Sequence, residues 1–181
     1  GFGAVGALYL DPKGRIWIGT DEGVYVREPD GRISQVPQED PKETISVWRI
    51  EGDGDEVRIA AAHGLLVVGT DGIARKFCKD IADFNVLSSV RDRAGRLWIG
   101  TQRGLYLQTR RSGPVKKVLD QPLLYGNLPG TWVWKIRQDR EGGLWVALFD
   151  GGVGYLAPGW SGISRFTHIP EDADSLRDGA R

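Results

Sequence analysis

A ten-residue unit that recurs three times, a spacing in the forties between its copies, and 26 glycines with 9 prolines among 181 residues predict an all-β fold. The architecture these features favour is a β-propeller of about four four-stranded antiparallel blades, either part of a larger propeller or half of a closed ring. The unit reads Asp11-Pro-Lys-Gly14-Arg-Ile-Trp17-Ile-Gly19-Thr20, then Asp92-Arg-Ala-Gly95-Arg-Leu-Trp98-Ile-Gly100-Thr101, then Asp139-Arg-Glu-Gly142-Gly-Leu-Trp145-Val-Ala147-Leu148. Six residues after each Trp comes a Gly, at Gly23, Gly104 and Gly151, which opens a second apolar stretch. Each copy therefore reads as strand, turn, strand.

The 81 residues from Trp17 to Trp98 hold two periods, and Val57-Arg58-Ile59-Ala60-Ala61-Ala62-His63-Gly64-Leu65 supplies the worn copy between them. Arg58 stands in the Trp place, which sets the anchors at 17, 58, 98 and 145 and the spacings at 41, 40 and 47. Helical solenoids share this length, but the repeat lacks 3.6-residue periodicity and is broken too often by Gly. The blades are expected at about 1–40, 41–80, 81–126 and 127–170, in one propeller fragment covering 1–181, with 171–181 leading into a further blade.

In the first blade the innermost strand is expected over Phe2–Asp11 and the next over Gly14–Thr20. In the second, strands are expected near Ile45–Ile50, Val57–Ala61, Leu65–Gly69 and Gly72–Phe77. In the fourth they are expected near Trp132–Gln138, Leu144–Ala147, Gly152–Leu156 and Ile163–Ile169. Between the first two strands, Asp-x-x-Gly is turn chemistry: the carboxylate accepts from backbone N–H groups two or three residues on, and Gly takes the positive φ. Asp11, Gly14, Asp92, Gly95, Asp139 and Gly142 are therefore structural, since a catalytic group is needed once and a turn in every blade. Trp17, Trp98 and Trp145 are expected to fill the gaps between blades, with Gly19 and Gly100 giving room for close approach and Ala60 and Ala147 substituting for them.

Lys+Arg and Asp+Glu both number 24, so no net field draws the chain to nucleic acid or to an anionic membrane. Cys78 is alone, which excludes an intrachain disulfide and a cysteine-based zinc site. No apolar run approaches a membrane span, and the opening residues lack the basic-then-apolar order of a signal peptide. Gly1-Phe-Gly3-Ala-Val-Gly6 matches a dinucleotide fingerprint by letters only, because it leads into a strand. His63 and His168 fall in different blades, and Asp53-Gly54-Asp55 lacks the later ligands of a calcium loop. The sequence offers no catalytic constellation, no metal site and no cofactor motif.

Residues that the repeat does not require are the candidates for ligand binding. Trp48, Trp132 and Trp134 lie where innermost strands begin, and His63, Gln102, Arg103, Phe149 and Asp150 lie in turns joining second and third strands. In an up-and-down blade both sets emerge on the same side, and aromatics beside hydrogen-bonding groups suit a small polar ligand such as an oligosaccharide. The alternative is that these tryptophans only pack against a neighbouring blade.

Asp-x-x-Gly-x-Leu-Trp-Ile-Gly-Thr followed by Gly-Leu resembles the two-component regulator propeller repeat, and the segment from Ile163 through Phe166, His168 and Pro170 to Leu176 resembles that family's outermost strand and lead into a next blade. The resemblance implies an extracytoplasmic or periplasmic sensor module of a membrane-anchored bacterial regulator, such as a hybrid histidine kinase or a diguanylate cyclase. It implies signal input without catalysis in this segment, often with a carbohydrate as ligand. No kinase phosphoacceptor or nucleotide-binding segment is present. A propeller lyase or glycan-acting enzyme using His63 or Asp150 is one alternative, and a protein-binding scaffold is another. Four blades leave open edges at both ends, which either further blades or a second copy pairing into a ring of about eight blades would cover.

Overall fold

The computed structural model describes residues 3–118, 132–149, 152–159 and 164–166. Among the described residues, sixteen strands form four sheets of four, each antiparallel and in sequence order. The first sheet is β1 (Val5–Leu10), β2 (Ile16–Thr20), β3 (Gly23–Arg27) and β4 (Ile33–Gln35). The second is β5 (Val47–Asp53), β6 (Glu56–Ala61), β7 (Gly64–Val68) and β8 (Ala74–Lys76). The third is β9 (Val86–Arg91), β10 (Leu97–Thr101), β11 (Gly104–Gln108) and β12 (Val115–Lys117), and the fourth is β13 (Val133–Gln138), β14 (Leu144–Leu148), β15 (Gly152–Leu156) and β16 (Ser164–Phe166). These are propeller blades, as the sequence predicts. The inner strands start at Val5 and Val47, later than expected; just before them the carbonyls of Ala4 and Ser46 accept from the backbone N–H groups of Asp21 and Ala62.

The chain divides into two compact units, 1–89 and 90–181. In the first, Trp17 is buried in one apolar cluster with Val47, Ile50, Val57 and Ile59, so β2 of the first blade packs against β5 and β6 of the second. In the second, Trp98 shares a cluster with Val133, Ile136, Leu144 and Val146. The same relation therefore occurs twice: the tryptophan of one blade is covered by the first two strands of the next. The small residue two places on lets the sheets close, since a Cβ at Gly100 would come within 2.6 Å of Val133 Cγ1, and one at Gly19 would run into Val47.

The Asp turn does more than cap the chain. Asp11 Oδ1 accepts from the backbone N–H of Lys13 and Arg15, and its Oδ2 accepts from Arg15 Nε at 2.7 Å and from Trp17 Nε1 at 2.9 Å. Asp92 repeats all four bonds with Ala94, Arg96 and Trp98. The backbone donors thus lie two and four residues on, rather than two and three. In addition, the carboxylate fixes the indole that fills the core, and the arginine lies over that indole, 5.1 Å from Trp17 and 5.5 Å from Trp98.

Asp139 keeps the two backbone bonds and the bond to Trp145 Nε1 at 2.9 Å, but Gly143 stands where the other copies have arginine. Tyr155 takes the vacated place, where a Cβ on Gly143 would strike its ring, and it lies 4.7 Å from the Trp145 ring. Burial pushes the Asp11 and Asp92 carboxyls up, but the indole and arginine donors outweigh it and hold both below the ordinary carboxylate range. The Trp145 indole chiefly lowers Asp139 in the same direction.

The second blade replaces this device. A two-residue turn at Gly54-Asp55 joins Asp53 to Glu56, and Arg58 occupies the tryptophan place with its side chain buried. Its Nε donates to Ser89 Oγ at 3.1 Å and its Nη1 pairs with Glu56 Oε1 at 3.1 Å. Glu51, opposite Arg58 in the ladder, accepts from the Ser89 backbone N–H at 2.8 Å. A buried ion pair with its hydrogen bonds filled thus stands in for an indole.

Candidate functional site

The candidate surface is made by bulges in the innermost strands. In β13, Val133 faces Leu148 and Lys135 faces Ala147, so Trp134 has no partner across the ladder. The same irregularity sets off Trp48 between Val47 and Arg49, and Gly6 between Val5 and Ala7. A bulge re-aims one side chain without disturbing the buried residues on either side. Val133 and Ile136 stay in the core while Trp134 is exposed, as Trp48 is in the second blade.

Trp134 is not alone. Phe149, in the turn after β14, lies 5.0 Å from Trp132 and 5.8 Å from Trp134 between ring centroids, at tilts of 34° and 45°. The Phe149 N–H donates to the Trp132 carbonyl at 3.0 Å, which ties the turn to the residue before β13. All three rings remain exposed. Two tryptophans set against one phenylalanine, all three open to solvent, form a platform able to stack against the apolar face of a ring-shaped polar molecule.

The other candidates are distributed. His63 is exposed in the turn between β6 and β7 and has φ 64°, a left-handed conformation unusual for a residue with a side chain. Gln102 and Arg103 occupy the equivalent turn between β10 and β11, where Thr101 Oγ1 accepts from the Arg103 backbone N–H at 2.9 Å. Thr20 does the same for Glu22, so the threonine that ends the repeat shapes this turn. Asp150 and His168 lie outside the described residues, as does 171–181. Among the described residues, no group of three His, Cys, Asp or Glu side chains is placed to hold a metal ion.

Trp132, Trp134 and Phe149 are therefore the predicted residues that the structure brings together. Sequence reasoning missed the bulge that turns Trp48 and Trp134 outward, and it missed the Arg58–Glu51–Ser89 cluster. A signal for the second was present: Ser89 stands three residues before the turn aspartate, where Leu8, Ile50 and Ile136 stand in the other blades.

Three segments of the chain, 2–22, 82–103 and 127–150, match the family model of the two component regulator propeller. No curated protein matches the chain. Among solved structures it resembles the extracellular domain of BT4673 from B. thetaiotaomicron, assigned as a hybrid two component system, with a TM-score of 0.76 and 17% identity over 96% of this chain and 23% of that one. It also resembles the extracellular domain of BT3049 from the same organism, at TM-score 0.70 and 23% identity over 91% of this chain and 22% of that one. Virginiamycin B lyase from Staphylococcus aureus matches at TM-score 0.70 and 17% identity, over 95% of this chain and 58% of the lyase. The chain thus spans less than a quarter of the two extracellular domains, and these likenesses establish the fold.

Proposed function

We infer, from the match of three segments to the two component regulator propeller model, that this chain is the ligand-binding part of an extracytoplasmic sensor in a bacterial signalling protein. The observation that carries the reading is the open aromatic platform of Trp132, Trp134 and Phe149. Leaving three large rings 40%, 44% and 64% exposed forgoes about 25 cal/mol for each Å² of apolar surface left in water, a cost that a core does not require and a binding surface explains. The ligand class that fits is a small polar molecule with an apolar ring face, such as an oligosaccharide. Stacking fixes the ring, and hydrogen bonds around it provide the choice among sugars. Two extracellular domains that share the fold, BT4673 and BT3049, are assigned to hybrid two component systems, which supports a role in signal input outside the cytoplasm.

The test is a titration of the chain with a panel of oligosaccharides, read by tryptophan fluorescence and by calorimetry. Binding that weakens at least tenfold in Trp134→Ala and in Phe149→Ala, with both variants folded, supports the reading. No binding across the panel, or binding that neither substitution changes, overturns it.

A further inference from the structure

We propose that the hairpin of β11 and β12 in the third blade holds a site for a small organic anion with an apolar body, separate from the aromatic platform. A cavity of about 730 Å³ opens beside this hairpin, a volume that accommodates a small ligand. Among the described residues its lining combines Leu107, Pro114 and Val118 with Arg110, Lys116 and Lys117, and it contains no carboxylate. Thr109 and Ser112 add two hydroxyl groups.

The apolar side of the cavity is anchored in the core. Leu107 stands between Trp98 and Lys116 across the ladders of the third sheet. Leu107 and Val118 are half-buried and pack against the cluster that contains Trp98. The Val118 N–H donates to the Leu105 carbonyl at 2.8 Å, which ties the end of β12 to β11. The cationic side is held as well. The Gly113 N–H donates to the Arg110 carbonyl at 2.8 Å, and Nε2 of the buried Gln108 donates to the Gly113 carbonyl at 2.9 Å. The backbone that carries Arg110 is therefore closed before a ligand arrives, which lowers the ordering cost of binding.

The charge here is local. Lys+Arg and Asp+Glu balance over the whole chain, yet between Asp92 and Asp120 lie seven Arg or Lys residues and no Asp or Glu. Arg110 and Lys116 are exposed, and among the described residues no ion pair engages either side chain. Cations at a hairpin tip are ordinarily a solvated surface, but these flank half-buried aliphatic side chains in one cavity. An inorganic anion would use the charges and leave Leu107 and Val118 in water. A neutral apolar molecule would do the reverse. One anionic head on an apolar body uses both: the head accepts from the Arg110 guanidinium and the Lys116 ammonium, while the body covers Leu107 and Val118. The planar donor fork of Arg110 suits two oxygens of one carboxylate or sulfonate.

Calorimetric titration of the chain with four probes tests this. 2-Naphthoate and 2-naphthalenesulfonate join an apolar body to a carboxylate or a sulfonate, 2-naphthalenemethanol keeps the body without the charge, and inorganic sulfate keeps the charge without the body. At least one organic anion is expected to bind about tenfold or more tightly than either the alcohol or sulfate, and the tighter of the two names the head group. Arg110→Gln and Lys116→Gln should each weaken that binding about threefold or more. Lys42→Gln, which removes an exposed cation outside the cavity, should leave it unchanged. Binding of neither organic anion, or of the alcohol or sulfate as tightly as theirs, overturns the proposal. So does affinity that survives Arg110→Gln and Lys116→Gln combined, or that is lost instead in Trp134→Ala, which would place the naphthyl ring on the aromatic platform. The two sites share no residue, so a failure of this one leaves the reading of the platform standing, and the reverse holds.

Discussion

Arg58 and Ser89 are hydrogen-bonded at 3.1 Å, Nε to Oγ, and each is the exception at its own repeat position. Elsewhere the first position is tryptophan and the second is leucine or isoleucine. The two exceptions occur together because the chemistry of one requires the other. A buried guanidinium needs acceptors, and Ser89 supplies one while its own N–H is taken by Glu51. Glu56 supplies the counter-charge.

This coupling is measurable. Arg58→Trp alone leaves Glu56 without its cation, and Ser89→Ile alone removes an acceptor from Arg58, so each single change should cost about 2–4 kcal/mol. The double variant restores the apolar pairing of the other blades and should be more stable than the sum of the singles implies by at least about 1 kcal/mol. Urea melts of the four proteins give the coupling energy, and strict additivity would show that the pair does not act as a unit.

The strands were legible because each blade advertises its second strand through the turn aspartate, the glycine and the tryptophan. The Trp17–Asp11 bond was not, since nothing in a list of residues says that a turn carboxylate has an oxygen left over and that an indole six places on can reach it. Trp48 and Trp134 could be singled out as residues the repeat does not need. Why they face outward could not be read, because a bulge is a property of the pairing between strands and leaves no mark in either strand alone. Trp145 follows its turn aspartate at the same distance as Trp98, but Gly143 replaces the stacking arginine, Tyr155 lies against the ring, and Trp145 is 42% exposed where Trp98 is 1% exposed.

That difference gives the second prediction. Trp98→Ala removes a buried indole and should cost about 3–5 kcal/mol, while Trp145→Ala removes one already partly in water and should cost less than half as much. Thermal melts of the two variants at one low protein concentration make the comparison. Equal losses would mean that Trp145 is buried in solution, as it would be in an assembly that persists at that concentration.

Gly100 and Ala147 hold the same place in their blades. Gly100→Ala puts a methyl group within 2.6 Å of Val133 Cγ1 and 2.8 Å of its carbonyl oxygen, so the sheets must part, at a cost of about 1–3 kcal/mol. Ala147→Gly only removes a methyl group from a half-buried position and should change stability by no more than about 1 kcal/mol, the entropy of a glycine in a strand. A Gly100→Ala protein as stable as the parent would show that the contact with Val133 is looser than its geometry implies.

The turn carboxylates set the response to acid. The folded pKa values of Asp11, Asp92 and Asp139 are depressed, so the unfolded chain takes up protons first as the pH falls. Their contribution is complete above the unfolded value of about 4 and is lost as the pH drops through the lower folded values. Stability should therefore be flat from neutral pH down to about 5 and then fall steeply. Asp92→Asn keeps one acceptor oxygen, enough for the turn N–H groups or for the Trp98 indole but not for both, and it has no proton to bind there. Its melting temperature should be lower at pH 7 and should approach that of the parent near pH 3. A constant gap between the two proteins over that range would mean that Asp92 stabilises the blade through its shape alone, with no part played by its charge.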